Sequence, residues 1–162
     1  MSLARIMLNI NCLHLLFGTI MEIETLNFGK QTVDGHDIIS FPNGLLGLED
    51  YTKFKLFHEE SENPDIHWLQ SITDADLSMS VVSPTALGIQ YEITLTDDDE
   101  DLLKLDDIND IQVVLVVYKK DEDESNNGGD LKAILRAPVI INTKTNIGLQ
   151  KHLDEVAVQQ AA

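Results

Sequence analysis

Histidines and carboxylates are the side chains in this sequence best suited to metal binding or acid–base chemistry, and their spacing argues against both. No two histidines form a His-Glu-x-x-His pair or another close ligand spacing; they are His14, His36, His58, His67 and His152. His67 precedes the single tryptophan, Trp68. This setting is more typical of a packing or surface histidine than of a ligand. We therefore expect no bound catalytic metal.

Two acidic runs invite a calcium interpretation. The first, Asp97–Asp101, has five consecutive acids, whereas a calcium loop needs oxygen ligands at alternate positions and a central glycine. Leu102 and Leu103 follow directly. The pattern favours the N-terminus of a short helix with solvated acids, since negative charge stabilises that end of a helix. The second run, Asp121–Glu124, is predicted to be a solvated loop.

Motifs for covalent catalysis or phosphate binding are missing from the sequence. The one cysteine, Cys12, cannot form a disulfide within the chain or a Cys-based zinc site. The segment from Gly44 to Gly47 lacks the Lys and Ser/Thr of a phosphate-binding loop. The sequence contains no Gly-x-Ser-x-Gly nucleophile elbow. We expect a protein that is not an enzyme and has no cofactor.

The charge balance restricts the possible partners. Lys and Arg number 11 against 28 Asp and Glu, which gives a formal net charge of −17. Nucleic acids and anionic membrane surfaces are bound through Lys and Arg, so neither is an expected direct partner. The charge favours a protein partner with a basic surface, although solubility alone would also account for it.

Residues 1–20 differ in composition from the rest of the chain because they contain no Asp or Glu. Three interpretations stay open: a start placed too early or an artificial leader, a secretory signal, and a structural N-terminal segment. Asn9, Asn11 and His14 interrupt the apolar run, which disfavours a transmembrane helix. We favour the first interpretation and expect one domain over 21–153, with a C-terminal tail over 154–162.

Short strands are the elements expected to position these residues. Alternating or β-branched runs predict strands separated by turn signals at intervals of about ten residues. The Asp34-Gly35 pair predicts a hairpin turn. The strands are predicted at 22–28, 36–41, 54–57, 66–72, 77–82, 90–96, 111–118, 131–135 and 137–141, with a helical turn at 49–54, a helix at 98–105 and a strand or helix at 147–156.

Ile111–Tyr118, the strongest of these runs, is expected to be a central, buried strand because it is nearly continuous and β-branched. The whole pattern predicts an all-β fold, mostly antiparallel, forming a compact β-barrel-like single domain with one or two short helices.

Three segments of the chain match the motifs of one known protein family. Ile39–Glu49 resembles the family's I-x-F-x-x-G-L-x-G-F-E motif, with Leu48 where Phe is common. Trp68–Ser71, followed by Leu77 and by Ser83-Pro84, is similar to the family's L-Q-S strand and the Pro turn after it. Leu131–Asn142 resembles N-L-x-A-P-I-V-I-N, departing from it at Ile134 and Leu135, and Gly148 and Gln150 continue the match. Taken in series, these three segments resemble the FliW family of flagellar assembly factors, and the resemblance covers residues 21 to about 153.

The resemblance implies a β-barrel-like fold without catalysis and a place in the cytoplasm. It also implies two protein partners, flagellin and CsrA, a small RNA-binding repressor of translation. In the family, FliW binds CsrA away from its RNA surface and antagonises it, and free flagellin competes for FliW. This chain is accordingly expected to couple flagellin level to flagellin translation, with a monomer favoured. A small-molecule-binding or enzymatic β-barrel is the alternative.

The motif positions have two possible roles. Structure is favoured over direct partner contact, because glycines permit special backbone angles and buried amides satisfy backbone groups. Neither role is assigned by sequence alone. The positions are Phe41, Asn43, Gly44, Gly47, Gln70, Ser71, Pro84, Pro138 and Asn142.

Overall fold

The computed structural model describes residues 20–58, 66–119, 131–154 and 157–160. Twelve strands and one α-helix are formed in these residues. They are β1 Ile20–Thr25, β2 Gly29–Asp34, β3 Ile38–Ser40, β4 Lys53–His58, β5 Ile66–Ser71, β6 Ser78–Val82, β7 Ile89–Glu92, α1 Asp97–Leu103, β8 Ile111–Lys119, β9 Leu131–Ala133, β10 Val139–Asn142, β11 Ile147–Gln150 and β12 Ala157–Gln160.

Seven of these strands close into a barrel. The order around the barrel is β10-β11-β3-β4-β5-β6-β8, and β8 pairs back to β10, with β9 added beside the far end of β8. All neighbours are antiparallel except β11 and β3, which are parallel and meet at Ile147 and Ser40. Closure gives each of the seven strands a neighbour on both sides, which is how barrels reduce the number of unpaired backbone groups, although β6 pairs with only two residues of β8. The predicted all-β barrel is therefore confirmed.

Side chains fill the interior of the barrel. Phe41, Phe54 and Leu69 are fully buried there, and the rings of Phe41 and Phe54 meet edge to face at 5.5 Å between centroids. Buried valines and isoleucines from β3, β6, β8 and β10 complete the cluster. Burial of each large apolar side chain contributes about 1.5–3 kcal/mol to folding. The alternation of apolar and polar residues in the sequence reflects this single interior.

Two further elements cover the outside of the barrel. Helix α1 packs Leu102 and Leu103 over Ile140 and Leu149 of β10 and β11. The β1–β2 hairpin lies at another part of the barrel, where Phe28 stacks on Phe57 at 5.2 Å between ring centroids and touches Trp68 edge to face at 6.3 Å. The predicted helix is thus confirmed as α1.

The predicted hairpin turn at Asp34-Gly35 is wrong. The hairpin turns instead after Thr25, and Gly29, at φ +65°, begins the returning strand. Asp34 Oδ1 accepts a hydrogen bond from the His36 N–H (2.9 Å) and caps a 3-10 turn that ends the strand. Local side-chain capping competes with hairpin geometry at Asp residues, and here the capping prevails.

Other predicted boundaries were also wrong. No helical turn forms at 49–54, where a turn at 49–50 leads into β4. The predicted strand at 90–96 is shorter because its last residues, including Ile93 and Leu95, pack beside α1. Of the two alternatives predicted for 147–156, the strand is confirmed at Ile147–Gln150, which form β11; the later strand β12 pairs with β7.

β8 contains Ile111–Tyr118, and its residues Val114, Leu115 and Val117 are buried, so the prediction of a central strand there is confirmed. The predicted division into 1–20, 21–153 and 154–162 stays a prediction. The leader lies outside the described residues except for Ile20, which belongs to β1.

Candidate interaction surfaces

The loop between β3 and β4 contains four of the predicted site residues and has two different faces. Phe41 and Gly44 are buried, whereas Asn43 and Gly47 are exposed. Gly44 has φ +67°, and a Cβ atom there would lie 2.5 Å from the Glu49 Cα. Only glycine fits such a position. The structure therefore gives Phe41 and Gly44 packing roles and leaves Asn43 and Gly47 at the surface.

The tip of this loop is held rigidly although it is exposed. The Leu46 N–H donates to Gln150 Oε1 of β11 (2.9 Å), and the Gly47 N–H donates to Glu49 Oε1 (3.0 Å). Hydrogen bonds from the backbone N–H groups of Glu49 and Gly47 lower the pKa of the Glu49 carboxyl. Leu46 is 48% exposed at the tip. The loop thus presents an apolar side chain on a fixed backbone, as binding loops often do.

Gln70 and Ser71 organise the loop that joins β5 to β6. Both residues are fully buried. Gln70 Nε2 lies within hydrogen-bond distance of the carbonyl oxygens of Asp74 (3.0 Å) and Leu77 (3.2 Å). Ser71 Oγ accepts from the N–H groups of Thr73 and Asp74. Buried polar groups need such partners, so these two side chains satisfy backbone groups within the protein.

Asn142 joins α1 to the barrel. It is 1% exposed; its Nδ2 donates to the carbonyl of Leu103 (3.0 Å), and its Oδ1 accepts from the Lys144 N–H (3.0 Å). Pro138, buried just before β10, accepts a hydrogen bond at its carbonyl from the Lys151 N–H (3.1 Å). Pro84 lies two residues after the end of β6 and directly precedes the 3-10 turn Thr85–Leu87. A role of any motif position in partner contact stays a prediction.

The acidic run Asp97–Asp101 forms the first turns of α1. Thr96 and Asp99 make a reciprocal capping box, and Asp99 also forms an ion pair with Lys151. Partial burial raises the pKa of Asp99, but hydrogen bonds from Lys151 and Thr96 outweigh it and leave the pKa below its usual value. Asp97, Asp98, Glu100 and Asp101 are exposed. Their negative charge is therefore displayed on a fixed helix.

The other predicted acidic run, Asp121–Glu124, lies outside the described residues, as do Cys12 and His14. Within the described part of the chain, no three His, Cys, Asp or Glu residues come close enough together to hold a metal ion. His67 is half-buried on β5 opposite His58 of β4, with 4.8 Å between the ring centroids. No helix among the described residues is long and apolar enough to cross a membrane.

A second surface was not found from the sequence. An open groove of about 780 Å³ lies between β7 and the first residues of β8. Its lining includes Pro84 and Glu92. Sequence reasoning placed strands on both sides but could not pair them, because the order of strands around a barrel is set by tertiary contacts.

Comparison with known proteins agrees with this geometry. The sequence model of one family, described as FliW protein, matches residues 22–161. A flagellar assembly factor FliW of Azoarcus sp. (strain BH72) is 37% identical over 136 residues, which are 84% of this chain and 93% of the relative. Another, of Chromobacterium violaceum, is 34% identical over 81% of this chain and 92% of its own length.

A solved structure gives the same result for the fold. The crystal structure of a flagellar assembly factor FliW superposes with a TM-score of 0.72 at 23% identity and covers 86% of this chain and 94% of that one. The relatives carry the name of an assembly factor rather than of an enzyme. The family model, the related sequences and the shared barrel together establish that this chain belongs to the FliW family of flagellar assembly factors.

Proposed function

We propose that this flagellar assembly factor acts in the cytoplasm, without catalysis, by binding CsrA and flagellin in competition. Family membership is the observation that carries the proposal, because a resemblance to FliW implies these two partners. In this scheme, free flagellin occupies the protein and leaves CsrA able to repress translation. When flagellin is consumed, the protein binds CsrA and translation resumes.

Charge supplies a mechanism for the antagonism. The chain carries a net charge of −17, and four exposed acids stand on α1. RNA binding depends strongly on phosphate contacts, so an acidic protein bound elsewhere on CsrA lowers the affinity of CsrA for RNA if its charge comes close enough to the RNA. This effect extends about one Debye length, roughly 8 Å at physiological salt. It requires no overlap between the two binding sites.

The test compares two triple variants that remove the same charge. One neutralises three exposed acids of α1 (Asp97→Asn, Asp98→Asn and Asp101→Asn), and the other neutralises three exposed acids elsewhere (Glu24→Gln, Asp50→Asn and Asp76→Asn). Both are expected to fold, because exposed acids contribute little to stability. CsrA binding is measured by calorimetry, and RNA release is measured by fluorescence at two salt concentrations.

The electrostatic mechanism predicts that one of the two variants releases RNA less well while still binding CsrA, and that high salt weakens release by the unmodified chain. If both variants release RNA as well as the unmodified chain does, and if release does not change with salt, the electrostatic mechanism is wrong. Failure of the unmodified chain to bind CsrA, or failure of flagellin to displace CsrA, would refute the proposed function itself.

A further inference from the structure

Strand β6 pairs with only part of the length of β8. The pairing consists of Val81 with Val116 and Val82 with Leu115. After Val82 the chain leaves the barrel through Ser83 and the 3-10 turn Thr85–Leu87. On its other edge, β8 continues to pair with β10 as far as Ile111. Among the described residues, the first residues of β8 are therefore paired on one edge only.

The register shows which backbone groups face the unpaired edge. On the paired edge, the Thr143 N–H donates to the Asp110 carbonyl (2.9 Å), and the Ile134 N–H donates to the Val116 carbonyl (2.8 Å). Peptide groups of successive residues in a strand point to opposite edges. The N–H and C=O groups of the even-numbered residues of β8 therefore point toward β10 and β9. The N–H and C=O groups of Val113 point toward the opposite edge of β8, beyond the last residue of β6.

The groove between β7 and β8 lies along this edge. Its volume is about 780 Å³, with one wall formed by Ile89–Glu92 of β7 and another by the Ser83–Thr85 segment. Ligand sites in proteins commonly have volumes of about 300–1,000 Å³, so the groove has room for a short extended segment. Pro84 and Ile89 give it apolar surface. An unpaired strand edge beside such a groove is suited to strand addition.

Charge indicates the kind of segment that fits. Among the described residues that line the groove, Glu92 is the charged one, and Asp110 directly precedes Ile111. Unpaired strand edges favour pairing with another chain, and acidic surroundings select a basic one. We propose that the β7–β8 groove binds an extended basic segment of a partner protein, which adds to β8 at Val113 as an extra strand. Alternate side chains of that segment contact Pro84 and Ile89, and its Lys or Arg residues lie near Glu92.

The first experiment uses labelled hexapeptides and the full chain, with binding followed by fluorescence anisotropy at low salt. The probes are Lys-Val-Lys-Val-Lys-Val, its Glu-Val counterpart, and two basic peptides that are N-methylated at alternate residues. Strand addition uses only one of the two alternate sets of amides. One methylated peptide should therefore bind about three- to tenfold more weakly per lost bond, and the other should be unaffected. Equal binding of both methylated peptides, or of the Glu-Val peptide, overturns the proposal.

Variants of the chain locate the site. Gln90→Trp fills the groove from an exposed position, and Glu92→Lys reverses its charge. Asp76→Lys, in the loop at the opposite end of β6, is the matched charge control. Glu92→Lys should weaken the basic peptide about threefold to tenfold, and Asp76→Lys should weaken it much less. Equal losses from the two reversals would mean that binding is general attraction to an acidic protein, and the proposal would fail.

Two further measurements establish whether the variants fold and whether the chain forms dimers. Melting temperatures show whether each variant folds, and Glu92→Lys still tests the site if Gln90→Trp is unstable. Sedimentation reports whether a second copy of the chain occupies the groove. The proposal would be overturned if the chain forms a dimer that Gln90→Trp abolishes and that the basic peptide cannot dissociate. In that case a second copy of the chain would occupy the groove. The peptide assay contains neither CsrA nor flagellin, so this inference and the proposed function can fail independently.

Discussion

Gly148 of β11 offers a sharp test of the packing inside the barrel. A Cβ atom at this position would lie 2.5 Å from Phe41 Cε1, 2.8 Å from Cζ and 3.1 Å from Cδ1. The Phe41 ring is fully buried and is held edge to face by Phe54. It cannot move without displacing a second aromatic ring. We therefore predict that Gly148→Ala destabilises the fold.

The sign of this effect distinguishes packing from backbone effects. Gly148 is not among the glycines with positive φ, so alanine would be free of backbone strain there. Without a clash, Gly148→Ala would stabilise the protein by about 0.4–1 kcal/mol, because it restricts the unfolded chain. Overpacking of a core costs about 1–3 kcal/mol. The expected net loss is about 1–2 kcal/mol, or roughly 2–8 °C in melting temperature for a chain of this size.

Urea unfolding of a double-mutant cycle supplies the assay. Phe41→Leu removes Cε1 and Cζ, the two ring atoms nearest to the new methyl group, although by itself it opens a cavity and is destabilising. The double variant should be more stable than the sum of the single effects predicts, by at least about 0.5 kcal/mol. If Gly148→Ala is as stable as the unmodified protein, or if the two effects add, the argument from close contact is wrong.

Three further predictions concern residues that join elements. Asn142→Ala should cost about 1–3 kcal/mol in urea unfolding, since it removes the hydrogen bonds to the Leu103 carbonyl and from the Lys144 N–H that tie α1 and the next turn to β10; a loss under 0.5 kcal/mol would contradict this. Gly44→Ala should lower the melting temperature more than Gly148→Ala does, because its Cβ would meet the Glu49 backbone rather than a side chain; the reverse order would count against it. The pKa of Asp99 is lowered in the folded protein, so the ion pair of Asp99 with Lys151 stabilises the fold at pH values above the pKa of the unfolded chain, about 3.9. This stabilisation is lost as the pH falls through the pKa that Asp99 has in the folded protein. The stability difference between the unmodified protein and Asp99→Asn should therefore shrink below about pH 4 in thermal melts, and a constant difference would refute it.

Sequence patterns were sufficient wherever a local preference and the tertiary fold agreed. Ile111–Tyr118 is β-branched and nearly continuous, and it forms part of the long buried strand β8. The acids at 97–101 favour a helix N-terminus, and α1 begins there with a capping box. In both cases the conformation that the residues prefer locally is also the one in which they pack in the fold, so the sequence alone predicts the strand or the helix.

Patterns failed wherever two local signals competed. Asp34-Gly35 is a good hairpin pair, but the Asp34 carboxylate caps a 3-10 turn, and the hairpin forms earlier, with Gly29 starting its second strand. The sequence motifs identified which residues matter but could not show which groups those residues contact. Gln70 satisfies carbonyls of its own loop, and Asn142 ties α1 to β10, over a separation of 39 residues from Leu103.

The sequence by itself determined the fold class, the family and the acidic character of this protein, because alternation, turn residues, motif order and charge are properties of the chain. Only the tertiary structure decided that β10 closes onto β8, that α1 covers Ile140, and that β6 ends short of the first residues of β8. Strand order and edge exposure depend on contacts between residues far apart in sequence. No local pattern records which strand becomes the neighbour of another, and the groove beside Val113 is a consequence of that choice.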